Sequence, residues 1–441
     1  MSFETFRDTI FTLARDHGAQ AELYYVEGDT FTVRIDRQEV DSYTVAKSGG
    51  VGLRVQHDRR DGYAYTESFD NPHELFNKAF DNAGTISASD EHPMNGAQVY
   101  QDVREPENPT LSLTAAEKIE LAKALERAAL AADPRVERVA YDIISTQRAS
   151  TRICNTRGLD AYQTEGFSYC YVSPVMRDGD ELRDDAAYRV NAETTDVEGC
   201  AQEAVRNTAR QFGGKPVAPG KYRVLWENVS LAELLSAFTP MFSAERAQHN
   251  MSPLKDKEGR KVAGEVTIID DPLYPKYPRA FDAEGTPSIT KTVVERGVLK
   301  TLLHNLKTAK KAGCASTSNA SRRSAGSPVD VSPSQFYIAP GEVPYTELVK
   351  TLGEGLIIRD VMGLHAGVNA VTGEFSLLAK GALVENGAEV RPVEQITVSG
   401  TFLGMLEQTE AVGNDLKFGL PGSSVCGAPS MVFGSLMVSG K

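Results

Sequence analysis

FSLLAKGALVENGAEVRPVEQITVSGTF (375–402) contains two runs rich in apolar and β-branched residues, FSLLAKGALVENG (375–387) and QITVSGTF (395–402), joined by a polar stretch. Runs of this length bounded by Gly and Asn read as neighbouring antiparallel strands. Both hold consecutive apolar residues rather than strict alternation, which predicts burial on both faces. The same signal recurs outward from there, in YRVLWE (222–227), TIID (267–270), KTVVERGVLKTLLH (291–304) with a turn at Arg296-Gly297, FYI (336–338), LIIRDVM (356–362) and MVFGSLMV (431–438). One apolar helix, LAELLSAFTPMF, interrupts them; Ser230 and Glu233 have capping-box spacing, and Pro240 breaks the helix. Residues 220–441 therefore read as a large, mostly antiparallel β-rich domain, set off by KPVAPGK (215–221).

Upstream the pattern changes. Phe3, Phe6, Ile10, Leu13 and Ala14 line one face of a helix that ends at His17-Gly18. Short strands follow, AELYYVE (21–27), FTVRID (31–36), VGLRVQ (51–56) and GYAYT (62–66), with turns expected at Glu27-Gly28-Asp29, Ser48-Gly49-Gly50 and Asp61-Gly62. A helix opens at Asn71-Pro72, closing an N-terminal α+β domain over residues 1–90. Residues 88–112 are polar and proline-bearing, a linker. Thr114-x-x-Glu117 then caps an Ala/Leu/Glu/Lys-rich helix to about Ala132, followed by strands at 136–147, 150–154 and 167–176 and a helix at 197–212. These make a middle α+β domain over 110–214, and the fold class is α+β throughout.

Composition narrows the function classes. At 441 residues, 41 % hydrophobic and 24 % charged, the chain is that of a globular protein. Its 47 basic and 60 acidic residues leave a net charge of −13, which argues against nucleic acid or an anionic membrane surface as partner. The N-terminus carries Glu4, Asp8 and Asp16 among its apolar residues, unlike a signal peptide, and no apolar run reaches the ~18 residues of a membrane span. Cys154, Cys170, Cys200, Cys314 and Cys426 are an odd set with no C-x-x-C, consistent with free thiols in a reducing cytoplasm.

Few motifs carry chemistry. Gly49-Gly50-Val51-Gly52 lacks the third glycine of a dinucleotide loop and reads as a tight turn; Gly214-Lys215 is followed by Pro216, not the Ser/Thr of a P-loop. Ser288-x-x-Lys291 matches S-x-x-K, the pattern of serine-lysine hydrolases, without the companion motifs. The seven histidines form no H-x-x-x-H or H-E-x-x-H pair. His304, His365, Cys314 and Cys426 remain candidates to meet in space. Asp270-Asp271 with Asp282 and Glu284 is the densest carboxylate group, open either to a hard cation or to plain turn chemistry.

Long ordered stretches, DDPLYPKYPRAFDAEGTPSITKTVVERGVLKTLLHNLKTAKKAG (270–313), TGEFSLLAKGALVENGAEVRPVEQITVSGTF (372–402), VGNDLKF (412–418) and GAPSMVFGSLMVSG (427–440), resemble the TldD/PmbA family, and the G-V-G-x-R strand at 50–54 is similar to its first domain. The resemblance implies a two-component cytoplasmic metallopeptidase acting on unfolded or small peptides. Its catalytic TldD-type subunit carries H-E-x-x-x-H on the helix after the YRVLWE-like strand, with two zinc-binding histidines, a glutamate that activates water and a further cysteine ligand near the C-terminus. Placed by eye, those helix positions read Leu235, Ser236 and Pro240 here, and Cys426 lies in the region of the cysteine. The chain therefore resembles the TldE/PmbA-type subunit: no metal bound by this chain, zinc in a TldD-like sister, and assembly as a heterodimer with that sister or as a homodimer. Two other readings stay open, a self-sufficient non-zinc hydrolase using Ser288/Lys291 or the 270–284 carboxylates, and a DNA-associated modulator, which the charge disfavours.

A peptidase for unfolded chains holds backbone more than side chains, and an added strand does this economically. GLHAGVNAVTGEFS (363–376) is the expected contributor, with His365 and Asn369 to orient peptide, Gly367 and Gly373 to permit close approach, and Phe375 opening the next strand.

Overall fold

The computed structural model describes residues 1–85, 92–422 and 424–440. The chain divides into two compact units: Met1–Ala209 with Leu273–Ser288 and Asn305–Asp330, and Arg210–Pro272 with Ile289–His304 and Val331–Lys441.

In the first unit, helix α1 (Phe3–Asp16) buries Phe3, Phe6, Ile10 and Ala14, and Ser2 caps it by accepting from the Thr5 amide. It is followed by β1 (Gln20–Asp36), β2 (Glu39–His57), β3 (Arg60–Thr66), α2 (Pro72–Thr85), α3 (Ala115–Ala132), β4 (Val136–Asn155), β5 (Asp160–Asp178), β6 (Glu181–Asp184), β7 (Ala187–Val190) and α4 (Val197–Ala209). The strands make one antiparallel sheet in the order β3-β2-β1-β4-β5-β6, with β7 also on β5. Both predicted bonds of the Thr114/Glu117 capping box on α3 are present. α1 and α2 cover Leu23, Val51, Leu53 and Val55, while α3 and α4 cover Phe31, Val33, Ile35 and Ile144.

Several expected turns are strand interior. Glu27-Gly28-Asp29 lies within β1, and a Cβ on Gly28 would stand 2.7 Å from the Arg148 carbonyl oxygen of β4, so this glycine serves strand packing. Ser48-Gly49-Gly50 likewise lies within β2, and the 136–147 and 150–154 runs are one strand, β4. The regions expected as separate N-terminal and middle domains share the sheet, since β1 pairs with β4 from Glu22↔Asn155 to Arg34↔Ile143. The expected end of the first domain at residue 90 lies outside the described residues.

The second unit begins with β8 (Gly220–Trp226) and α5 (Asn228–Phe238). Strands Gly355–Met362, β8, Met431–Gly440, Ala388–Thr401 and Glu374–Glu385 are neighbours in that order, and the last pairs back onto the first, closing a barrel. Closure leaves these strands without a free edge. A second sheet runs Val298–Leu299, Lys291–Glu295, Ile268–Asp270, Gln335–Ile338, Val425–Ala428, Lys417–Phe418. Trp226, Leu231, Leu234, Leu235 and Phe238 enter one core with Phe375 and Phe402; the Phe238 and Phe402 rings stack at 4.6 Å, and Trp226 meets Phe375 edge-on at 5.9 Å.

Two local expectations are corrected. Residues 374–379 alternate cleanly between exposed and buried, leaving Leu378 54 % exposed, because the barrel has a core on one side of this strand only. The expected capping box at Ser230 is not formed: the helix starts earlier, with Glu227 as N-cap, and the Ser230 hydroxyl donates to the Glu227 carbonyl. α5 stops at Phe238 and passes into a 3-10 turn, Thr239–Phe242, at Pro240. Among the described residues no helix is long and apolar enough to cross a membrane.

Candidate functional site

α5 is two-sided. Leu231, Leu234, Leu235 and Phe238, at spacings of three, four and seven, are fully buried, so the other face carries Glu233, Ser236 and Ala237, with the buried Ala232 at the margin between core and pocket. These four line a cavity of about 630 Å³ together with Leu364, His365, Val368, Ala370, Gly419, Leu420, Gly422, Ser424 and Cys426. The walls are mostly apolar, with a carboxylate, an imidazole, two hydroxyls and a thiol among them, the make-up of a small-ligand or peptide pocket.

The Cys426 side chain bonds with those of Ser236 and Ser424. Burial pushes its thiol up to about 12, and the two hydroxyls only partly offset this. Among the described residues no three His, Cys, Asp or Glu side chains are grouped so as to hold a metal ion.

The candidates from sequence divide. Ser236 lines the pocket, whereas Leu235 points into the core and Pro240 is exposed beyond the helix end. His365 lines the pocket and is exposed. Asn369 is occupied in its own turn, its Oδ1 accepting from the Val371 and Thr372 amides. Gly367 is packed so closely that a Cβ would stand 2.3 Å from the Ser376 carbonyl oxygen, Gly373 adopts φ +82°, and Phe375 is buried against Trp226 and Phe238. Of the four residues considered for a spatial metal cluster, His365 and Cys426 share the pocket; His304 does not line it, and Cys314 belongs to the first unit.

Of the alternative catalytic groups, Lys291, Asp270, Asp282 and Glu284 have structural partners, whereas the buried Ser288 hydroxyl has no hydrogen-bond partner. Lys291 donates to the buried Asp270 carboxylate at 2.8 Å within the second unit. In the first unit Asp282 accepts from the backbone amides of Glu284, Thr286 and Ala320, and Glu284 pairs with His92 and accepts from the Leu306 amide. Burial raises Asp282 to about 6. Burial works the same way on Glu284, yet His92, the Leu306 amide and the Arg54 charge together outweigh it and hold that carboxyl below its ordinary value.

Sequence reading missed Ala232, Glu233 and Ala237 as pocket residues, along with Gly419, Leu420, Gly422 and Ser424. The signal for the helix residues was present: an apolar set at 231, 234, 235 and 238 fixes 232, 233, 236 and 237 as the other face.

Three family models match in succession: PmbA/TldA metallopeptidase domain 1 over residues 21–83, the central domain over 108–212 and the C-terminal domain over 219–440. The chain belongs to the PmbA/TldD metallopeptidase family. An uncharacterized protein of Methanocaldococcus jannaschii is 27 % identical over 409 residues, covering 91 % of this chain and 93 % of its own length. The metalloprotease PmbA of Escherichia coli O157:H7 is 24 % identical over 416 residues, covering 91 % and 89 %. Among solved structures, a Thermotoga maritima protein described provisionally as a modulator of a DNA gyrase superposes with a TM-score of 0.91 at 34 % identity over 99 % of this chain and 100 % of its own. TldE of Thermococcus kodakarensis shares the fold, with a TM-score of 0.89 at 21 % identity over 99 % and 100 %.

Proposed function

We propose that this chain is the metal-free member of a two-component cytoplasmic peptidase, a TldE/PmbA-like subunit that holds unfolded or small peptides while a zinc-bearing TldD-like sister cleaves them. The observation that carries this reading is the pocket face of α5. A motif of H-E-x-x-x-H spacing begun at Leu235 would put its first residue in the core; begun three residues earlier it falls on Ala232, Glu233 and Ala237, all of which line the pocket. There the two histidine positions hold alanine and the glutamate position holds glutamate. Alanine offers no ligand, and a catalytic zinc needs about three protein ligands with a fourth position open. What is left is an apolar pocket with one carboxylate, suited to accepting hydrogen bonds from peptide N–H groups.

The exposed Leu378, Met362 and Met437 on the barrel support association with another subunit. A net charge of −13 weighs against a DNA-binding role. The test is elemental analysis of the purified chain together with hydrolysis of an unfolded peptide, with and without a sister protein from the same genome that carries H-E-x-x-x-H. The expected result is no stoichiometric zinc and no cleavage alone, with cleavage when the two are mixed. Near one zinc per chain, surviving dialysis and lost with activity on chelation, would overturn the reading.

A further inference from the structure

Cys170 on β5 and Cys200 on α4 are fully buried in one core, and their side chains meet: the Cys170 sulfur accepts from the Cys200 thiol and from the Arg189 backbone N–H. Arg189 stands opposite Cys170 on β7, and its guanidinium charge bears on the same sulfur. The contact with Cys200 and the Arg189 donor and charge outweigh burial and hold the Cys170 thiol below its ordinary value. The same contact, together with burial, pushes Cys200 up. Burial alone dominates at Cys154 and Cys426, whose thiols are pushed up to about 12, so the pair differs from the other buried cysteines. Its cover is thin. The Arg189 side chain is 14 % exposed and pairs with the more exposed Asp196 at 3.3 Å and Glu203 at 2.8 Å. Among the described residues β7, only four residues long, pairs with β5 alone, and a short strand held on one side opens locally at low cost.

We propose that Cys170 and Cys200 are a redox pair that hydrogen peroxide converts to a disulfide joining β5 to α4. Two thiols already in contact on different elements can be bridged with little movement of the backbone. The Cys170 thiolate attacks one peroxide oxygen and the O–O bond breaks, leaving a sulfenic acid and a hydroxide that takes up the proton Cys170 released. The Cys200 sulfur then attacks the sulfenyl sulfur, the S–O bond breaks, and the hydroxyl leaves as water with the Cys200 proton. In sum two thiols and one peroxide give one disulfide and two waters, the sulfurs losing the two electrons that the peroxide oxygens gain. Arg189 stabilises the attacking thiolate, and Cys200 is at hand to resolve the sulfenic acid before it oxidises further. The bond closes the loop between residues 170 and 200 and so holds α4 on the sheet. The proposal concerns this chain alone and does not depend on the peptidase reading.

Competition for a limited amount of oxidant tests it. One molar equivalent of hydrogen peroxide is added to the reduced full chain at neutral pH, the remaining thiols are alkylated, and the proteolytic digest is mapped by mass spectrometry without reduction. The expected result is the Cys170 and Cys200 peptides joined to each other and separated again by dithiothreitol, with the exposed Cys314 still alkylated. In Cys200→Ala the sulfenic acid has no resolving thiol, so dimedone should label Cys170; in Cys170→Ala it should leave Cys200 unlabelled. Melting curves of the two variants control for folding, and the wild-type map stands whether or not either of them folds. Oxidation of Cys314 with the 170–200 pair left reduced, a linkage that forms only in denaturant, or dimedone on Cys200 rather than Cys170 would each overturn the proposal.

Discussion

Lys291 Nζ lies 2.8 Å from Asp270 Oδ2, the lysine side chain 10 % exposed and the carboxylate fully buried. The other carboxylate oxygen accepts from the Ser334 amide at 2.7 Å, so the pair ties the strand at 291–295 to the loop leading into Gln335–Ile338. An ammonium held in this way is not a free amine base, which speaks against the chemistry that Ser288-x-x-Lys291 suggested. Lys291→Ala should cost about 3–5 kcal/mol by stranding a buried carboxylate, while Lys291→Met with Asp270→Asn should cost less than the single change. Urea unfolding of the three proteins decides it; a single variant as stable as wild type would show that the pair carries no such cost.

Asp142 on β4 is fully buried, and neither of its carboxylate oxygens has a hydrogen-bond partner. Burial, with smaller contributions from Glu126 and Cys170, raises it to about 9. The sign follows from linkage: a carboxyl whose folded value lies above its unfolded value of ~3.9 favours folding in its protonated form, and stability is lost as pH rises from about 4 towards 9. Asp142→Asn should therefore flatten the fall in melting temperature between pH 5 and pH 8.5 and leave the variant the more stable protein at the upper end. Parallel melting curves for the two proteins across that range would contradict the assignment.

Leu235 and Ala237 are two residues apart on α5 and differ in what surrounds them. Leu235→His puts a polar ring into a fully buried leucine site and should destabilise by about 2–5 kcal/mol. Ala232→His with Ala237→His places imidazoles beside Glu233 in the pocket that Cys426 also lines, and this variant should retain close to one zinc per chain after dialysis. Inductively coupled plasma analysis reads the outcome. Zinc retention by Leu235→His/Pro240→His instead would return the motif to the register first read from the sequence.

For peptide binding, His365 is the informative residue, because its substitution leaves the backbone intact. His365→Ala should raise the KM of the assembled peptidase several-fold with little change in kcat or melting temperature. Gly367→Val, by contrast, drives a side chain into the Ser376 carbonyl and should lower stability before it reports on substrate. Equal kinetics for wild type and His365→Ala would remove this wall of the pocket from the peptide site.

Helices and strand-sized runs were legible in the sequence where local chemistry decides them, as at Thr114/Glu117 or the Arg296-Gly297 turn. Strand continuity was not, because Gly28, Gly49 and Gly50 carry the same letters whether they turn the chain or let a neighbouring strand approach. The site was half legible. Resemblance pointed to α5, which lines the pocket, and periodicity was sufficient to tell Leu235 from Ala232, but nothing local in the sequence announces that Gly419, Leu420, Gly422 and Ser424 line the same pocket. The structural roles of Asn369 and Phe375 depend on a turn and a core that only the folded chain shows.

The ladder between β1 and β4 bears on what happens when the chain is cut. The segment from residue 92 to Thr114 joins pieces that the family models treat as separate, but the two sides are already bound by main-chain hydrogen bonds along the length of β1. A protease that nicks this segment should leave both fragments together on a native gel, parting only in denaturant. The same property makes the segment a natural place to divide the gene, with the halves expressed separately and the sheet itself acting as the reassembly tag.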